Sequence, residues 1–287
     1  MDGHCEVCFR RCALKENETG SCGARRMLDG SCKALYYGQI TGLALDPIGK
    51  KPLNQFYPGS TVLSVGSLGC NLHCSFCQNH EISQRDADGE FSAGVRLCLP
   101  WQLAEKAEKY RSWGNIGVAY TYNEPLVCFE YVEDTAKLVR EKGMKNVLVT
   151  NGCVQPWVLD RVSTYIDAMN IDLKGFTDRY YREVLKGDRG TVMDFIREAV
   201  KRCHVELTTL IVPGENDSEE EMLELSSWVA SLTGVYGGKQ GRDIPLHVSR
   251  FFPRYRMTDR SATDVKKVYA LAEAAEKNLR YVYKGNC

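Results

Sequence analysis

The sequence predicts an α/β protein: a partial (β/α)6 TIM-like barrel with a small Cys-rich N-terminal segment. An open, doubly wound sheet is the other arrangement that six β/α units allow. Three observations carry the prediction. Short β-rich runs alternate with longer runs of helical period from residue 61 onward. Alternating units of this kind build a parallel sheet with right-handed crossovers. Polar and Gly-rich clusters follow the β-rich runs, at the strand ends where such folds place reactive groups.

Residues 1–60 lack a sustained apolar period and read as a Cys-rich segment, with the core domain spanning 61–287. Within it, residues 35–45 predict a short strand pair around Gly38. Residues 46–53 hold Pro47 and Pro52 and predict a fixed loop. The core strands are expected at 61–65, 116–121, 146–150, 168–173, 205–212 and 246–251. The helices are expected at 101–113, 126–142, 157–164, 192–203, 219–232 and 264–279. In the first of these, Leu103, Ala107 and Tyr110 recur at helical spacing with charges between them. Asn216-Asp217-Ser218 before three Glu residues is a helix start.

Composition limits the function. The 37 basic residues balance 37 acidic ones, so the basic excess of a phosphate-backbone binder is missing and nucleic acid is not an expected partner. No apolar run reaches the ~18 residues of a membrane span, and the first residues are too polar for an export signal. The 13 cysteines are an odd count without such a signal, which argues for thiolates in a reducing cytoplasm rather than disulfides. Cys32, Cys98, Cys128, Cys153, Cys203 and Cys287 are scattered and read as small apolar residues.

The other seven form two groups. Cys70, Cys74 and Cys77 give C-x3-C-x2-C on a Gly-rich turn directly after the first core strand. A cubane iron–sulfur cluster has four irons, so three thiolates from one loop leave the fourth iron open to a small chelating molecule. Zinc is the alternative, with His73 or His80 as a fourth ligand. The position after a β-strand and Phe76 beside the last Cys favour the cluster. Cys5, Cys8, Cys12 and Cys22 give four thiolates, enough to close a zinc site or to hold a second iron–sulfur cluster.

Polar residues mark the remaining strand ends. Thr121, Asn123 and Glu124 follow the second strand, and Thr150 and Asn151 follow the third. Asp172 and Lys174 share a side at the end of the fourth. They form either a ligand grip or a structural ion pair. His247 lies on the sixth strand with Ser249 on the same face.

The Cys70–Cys74–Cys77 loop resembles the radical S-adenosylmethionine superfamily. Residues 46–53, 70–79, 120–125, 150–152, 170–174, 212–217 and 247–253 together resemble its AmmeMemoRadiSam-system enzymes, relatives of the glycyl-radical-enzyme activating enzymes such as the pyruvate formate-lyase activating enzyme. The resemblance implies the barrel of the radical S-adenosylmethionine type, a [4Fe-4S] cluster on Cys70, Cys74 and Cys77, and S-adenosylmethionine as cofactor. It implies cofactor contacts at Thr121, Asn123, Glu124, Thr150, Asn151, Asp172, Lys174 and His247. It also implies a low-potential electron donor of the flavodoxin or ferredoxin type, and a hydrogen-abstraction substrate that is a partner protein or a small molecule. Two positions depart from the activating enzymes: Val149 stands where they carry Asp, and they carry an Arg near Thr208. A non-catalytic iron–sulfur electron carrier is the reading from another class. The motifs at 121–125 and 172–174 oppose it, since a carrier needs no cofactor pocket.

Overall fold

The computed structural model describes residues 3–85 and 89–287. Its frame is one eight-stranded sheet. The strands are β1 (Gly42–Pro47), β2 (Thr61–Gly66), β3 (Asn115–Tyr120), β4 (Lys145–Thr150), β5 (Ala168–Asp172), β6 (His204–Ile211), β7 (Leu246–Arg250) and β8 (Val282–Gly285). They lie in that order across the sheet. Strands β2 to β8 are mutually parallel, and β1 runs antiparallel to β2. Six helices cover the outer face: α1 (Pro100–Lys109), α2 (Phe129–Glu141), α3 (Pro156–Ser163), α4 (Arg189–Ala199), α5 (Glu219–Ala230) and α6 (Val265–Glu276). All six expected strands and six expected helices are present, with ends shifted by a few residues. Among the described residues, no helix is long and apolar enough to cross a membrane.

The pleat sorts side chains to two cores. Leu63, Val118, Leu148, Ile171, Leu207 and Val248 face the helices, packing with Leu103, Ala136 and Leu271 among others. Val62, Ala119, Val147 and Ala168 face inward, where Ile48, Leu53 and Phe56 plug the barrel. Helix α5 starts on the predicted signal, with the Ser218 hydroxyl accepting from Glu221 N.

The structure corrects the reading of residues 35–53. No strand pair forms around Gly38. Gln39–Ile40 pairs instead with Arg96–Leu97, and β1 joins the main sheet ahead of the expected boundary at residue 61. Its inward Ala44 and Asp46 alternate with the outward Leu43 and Leu45, the pattern of a strand with two different faces. Pro47 sits at the end of this edge strand, where its missing N–H costs no ladder bond. Residues 46–53, expected as a loop, begin in β1 and continue through a 3-10 turn, Ile48–Lys50. β8 and a π-helical turn, Tyr180–Leu185, lie outside the sequence reading.

Glu206 fastens the plug to the sheet. One oxygen accepts from Gln55 N at 2.7 Å and the other from Asn54 N at 3.0 Å. His204 Nε2 and His247 Nε2 lie 3.0 and 2.7 Å from the same carboxylate. Burial alone would push this carboxyl up, but the four partners outweigh it and hold it at about 2, against 4.5 ordinarily. A depressed folded value means that stability is present above 4.5 and lost as pH falls toward 2. At ~1.4 kcal/mol per pH unit the loss is about 3 kcal/mol. We predict that urea unfolding across this window shows that loss in the native chain and a much flatter profile in Glu206→Gln. Parallel profiles would remove Glu206 as the anchor.

Candidate active site

The loop after β2 carries the three cysteines, and neighbours on three sides hold it. Gly69 has φ +94°; a Cβ there would stand 2.6 Å from Ala24 Cβ and 2.7 Å from the Cys22 carbonyl oxygen. Only glycine both adopts this backbone and permits this approach. Gly69 N donates to Ile82 O at 2.8 Å, and Cys70 N to Cys22 O at 3.3 Å. Arg10 Nε donates to Asn71 O at 2.8 Å, and its Nη2 reaches Lys186 O. His73 N donates to Leu185 O at 2.9 Å, and Arg256 N to Ser75 O at 2.9 Å. The N-terminal segment, the π-helical turn and the loop after β7 therefore converge on residues 69–75.

Polar groups already address the cysteine sulfurs. Leu72 N donates to Cys70 Sγ at 3.4 Å, and Asn151 Nδ2 lies 3.6 Å from the same atom. Ser83 Oγ stands 3.1 Å from Cys77 Sγ. Burial pushes the Cys70 thiol well up and the Cys74 thiol to about 12; the charge of Lys174 acts on Cys74 in the opposite direction. Among the described residues, no three Cys, His, Asp or Glu side chains converge closely enough to hold a single metal ion. A cubane spreads its ligands over separate irons, so these thiols need not converge. The ring nitrogens of His73, named in the zinc alternative, bond Gln84 Oε1 at 2.7 Å and Ser21 Oγ at 2.9 Å. His80 stacks on Tyr255, with ring centroids 4.5 Å apart.

The motif after β3 is built into the wall. Glu124 is 1% exposed. One oxygen accepts from Leu126 N at 3.0 Å and from Thr150 Oγ1 at 2.8 Å; the other accepts from Asn151 N at 2.7 Å. It ties the end of β3 to the end of β4, and its burial raises its carboxyl to about 7. Asn123 accepts from Ser67 N at 3.1 Å and donates to Gly69 O at 2.9 Å, bracing the cysteine loop. Asn151 continues the chain of contacts by donating to Asn71 Oδ1 at 2.8 Å. The side-chain oxygens of Asn123 and Glu124, where cofactor contacts are expected, are already engaged by these partners. Thr121 is buried beside them, its N–H on Val65 O.

Asp172 and Lys174 do meet, with Nζ 2.7 Å from Oδ2. Both remain part-exposed at the rim. Burial would lower the Lys174 ammonium, but the charges of Asp172 and Cys74 push it up. His247 is committed through Nε2 to Glu206 and stacks on Tyr283.

The sequence reading missed a second polar group inside the barrel. Tyr122 Oη donates to Asp46 Oδ2 at 2.8 Å, and Lys51 Nζ bonds the same oxygen at 3.0 Å. The Lys51 ammonium lies 4.5 Å from the centroid of the Tyr122 ring. Tyr122 has φ +75°, and its ring lies over Gly66, where a Cβ would meet it at 2.9 Å. Nothing in the spacing of these residues announces the cluster. Its only trace is that both flanking stretches belong to the family resemblance.

Comparison with known proteins agrees with this geometry. The family described as the Radical SAM superfamily matches residues 64–226, more than half of the chain. An uncharacterized protein of Methanocaldococcus jannaschii is 39% identical over 98% of this chain and 80% of its own length. The pyruvate formate-lyase-activating enzyme of Clostridium pasteurianum is 28% identical over 69% of this chain and 83% of its own. The crystal structure of Streptococcus suis SuiB bound to S-adenosylmethionine superposes with a TM-score of 0.55 at 15% identity, covering 77% of this chain and 49% of that one. With a cysteine-bearing loop at the C-terminal end of β2 and a family match over more than half of its length, the chain belongs to the radical S-adenosylmethionine superfamily.

Proposed function

We propose that the protein cleaves S-adenosylmethionine reductively and uses the resulting radical to abstract hydrogen from a substrate. The observation that carries this reading is one braced loop presenting Cys70, Cys74 and Cys77 beside the Asp172–Lys174 pair. Cys70, Cys74 and Cys77 would hold a [4Fe-4S] cluster, which would supply a low-potential electron and an open coordination position for the cofactor. The chain's own residues do the rest. Leu72 N–H and Asn151 Nδ2–H donate toward Cys70 sulfur, which favours the more reduced, more negative state. Lys174 offers an ammonium to a carboxylate, with Asp172 orienting it. Asn123 and Glu124 act as positioning residues that fix the loop and the ends of β3 and β4. Thr121, Thr150 and His247 complete the wall, His247 through the nitrogen that Glu206 leaves free.

The likeness to the Clostridium enzyme supports a finer reading, in which a glycyl radical is made on a partner protein with an electron from a flavodoxin- or ferredoxin-type donor. Radical modification of a small molecule uses the same residues.

Anaerobic reconstitution should give a cluster whose electron-spin spectrum changes when S-adenosylmethionine is added. Cys70→Ala, Cys74→Ala and Cys77→Ala should each abolish that signal; its persistence in all three would falsify the assignment. Lys174→Ala should weaken equilibrium binding of S-adenosylmethionine roughly ten- to a hundredfold at unchanged iron content, as loss of a hydrogen bond to a charged group implies. Unchanged affinity would make Lys174 a structural ion-pair partner.

Glu124→Gln tests the wall. Its amide nitrogen must face Asn151 N–H or the Leu126 and Thr150 donors, so one buried donor loses its acceptor. Urea unfolding should show a loss of about 1–3 kcal/mol. A variant of native stability would contradict the tie between β3 and β4.

A further inference from the structure

The N-terminal cysteines form a cluster that the barrel chemistry does not absorb. Gly3–His4 pairs with Ala13–Leu14, which brings Cys5 and Cys12 together: Cys5 N donates to Cys12 O at 2.9 Å. Cys8 bridges to Val154 at the barrel rim, and Cys22 precedes the hairpin of Arg25–Leu28 with Ser31–Ala34. Cys5, Cys8 and Cys22 are buried, Cys12 is half-buried, and all are free thiols. Arg11 N donates to Cys8 O at 3.2 Å, and a Cβ at Gly20 would stand 3.8 Å from Cys12 Sγ, so the turn at Cys8 and the stretch leading to Cys22 both flank Cys12. The four therefore share one neighbourhood. Like Cys70, Cys74 and Cys77, they do not converge on one point, which suits a polynuclear cluster better than a single ion.

Arg25 supplies the independent observation. It is 3% exposed. Its Nη1 donates to Val127 O and Glu130 Oε2, each at 3.0 Å. Its Nη2 donates to Cys32 O and Glu130 Oε1, each at 2.8 Å. Its Nε is buried and has no partner. Buried polar groups are nearly always bonded, and a charged donor left unpaired is costly. Arg25 lies close enough for its charge to bear on Cys5 and Cys22; the hydrogen bond with Cys32 is the larger effect on Cys5, and burial raises Cys22 overall. An anionic sulfur centre held by these cysteines would supply the missing acceptor.

We propose that Cys5, Cys8, Cys12 and Cys22 hold a second iron–sulfur centre, with Arg25 Nε–H as its hydrogen-bond donor. Cys22 O accepts from Cys70 N at 3.3 Å, so the centre abuts the first cluster's loop. It takes one electron from a low-potential protein reductant and passes it to the Cys70 cluster, with no bond made or broken. The relay role rests on the function proposed above; the existence of the centre does not.

The test uses the full chain with Cys70, Cys74 and Cys77 all replaced by Ala, reconstituted anaerobically with ferrous iron and sulfide. It should retain about four irons and four sulfides and give, on reduction, an electron-spin signal indifferent to S-adenosylmethionine. The double variant Cys5→Ala/Cys8→Ala should lose this set and keep irons whose spectrum responds to S-adenosylmethionine. That response also separates this proposal from the first, since its absence in the native chain would count against the function and not against this centre. Zinc as the sole metal of the triple variant, or no iron uptake by it, would overturn the proposal. Arg25→Lys keeps a charge for Glu130 and loses the Nε–H. It should lower the midpoint potential of the retained centre, and an unchanged potential would overturn the role given to Arg25.

Discussion

The approach of Gly69 to the Cys22 carbonyl is the contact on which the site depends. A loop carrying three thiols has no secondary structure of its own to fix it, and each thiol must stay clear of its neighbours. The chain solves this by pressing the loop against Cys22 and Ala24, a segment about 47 residues earlier. With glycine at φ +94°, the loop backbone comes close enough for Cys70 N to bond Cys22 O. Arg10, Asn123 and Asn151 then brace the loop from the N-terminal segment and from the ends of β3 and β4. A side chain at residue 69 would lift the loop away from Ala24 and loosen these bonds together.

Much of this was legible in the sequence, and the part that was not has a physical reason. The strands β2 to β7 are buried on both faces and read as short β-rich runs; the helices carry a clear apolar stripe. The three-cysteine loop announces itself because its ligands must come from one short turn. The role of Glu124 did not, because its partners Thr150 and Asn151 lie 26 and 27 residues on, and a carboxylate in a strand-end motif looks the same whether it faces a ligand or a wall. Strand β1 was hidden for a related reason. An edge strand ending in Pro47 has turn-like composition, and only its pairing with β2 reveals it.

The barrel interior is unusually polar for a core. Asp46, Lys51 and Tyr122 form one group around the buried Lys51; the buried Glu206, His247 and Asn170 form another with the half-buried His204. Burial would raise both carboxyls, yet each is held at about 2 by the partners around it. Buried charges that are fully paired add little net stability compared with apolar packing, but removing one partner is costly. Such groups resist rearrangement. They fix the plug loop 48–56 from two sides and keep the floor beneath the cysteine loop rigid, which is what pre-organisation of a reactive site requires.

The rim behaves differently. Lys174 and Asp172 are part-exposed, so their pairing is worth less than a buried one. A ligand carboxylate that takes up Lys174 exchanges one anionic partner for another, and the ammonium is never stripped of compensation. The cost of releasing Asp172 is met partly by solvent, which still reaches it. Under the proposed function the ion pair seen between Lys174 and Asp172 would become the grip for an anion, so the two readings would describe two states of one pair. The contrast with Asp46 and Lys51 is one of burial: the ammonium of Lys51 is nearly inaccessible and cannot make that exchange without opening the floor. The division of labour between a fixed interior and an exchangeable rim follows from where each pair meets water.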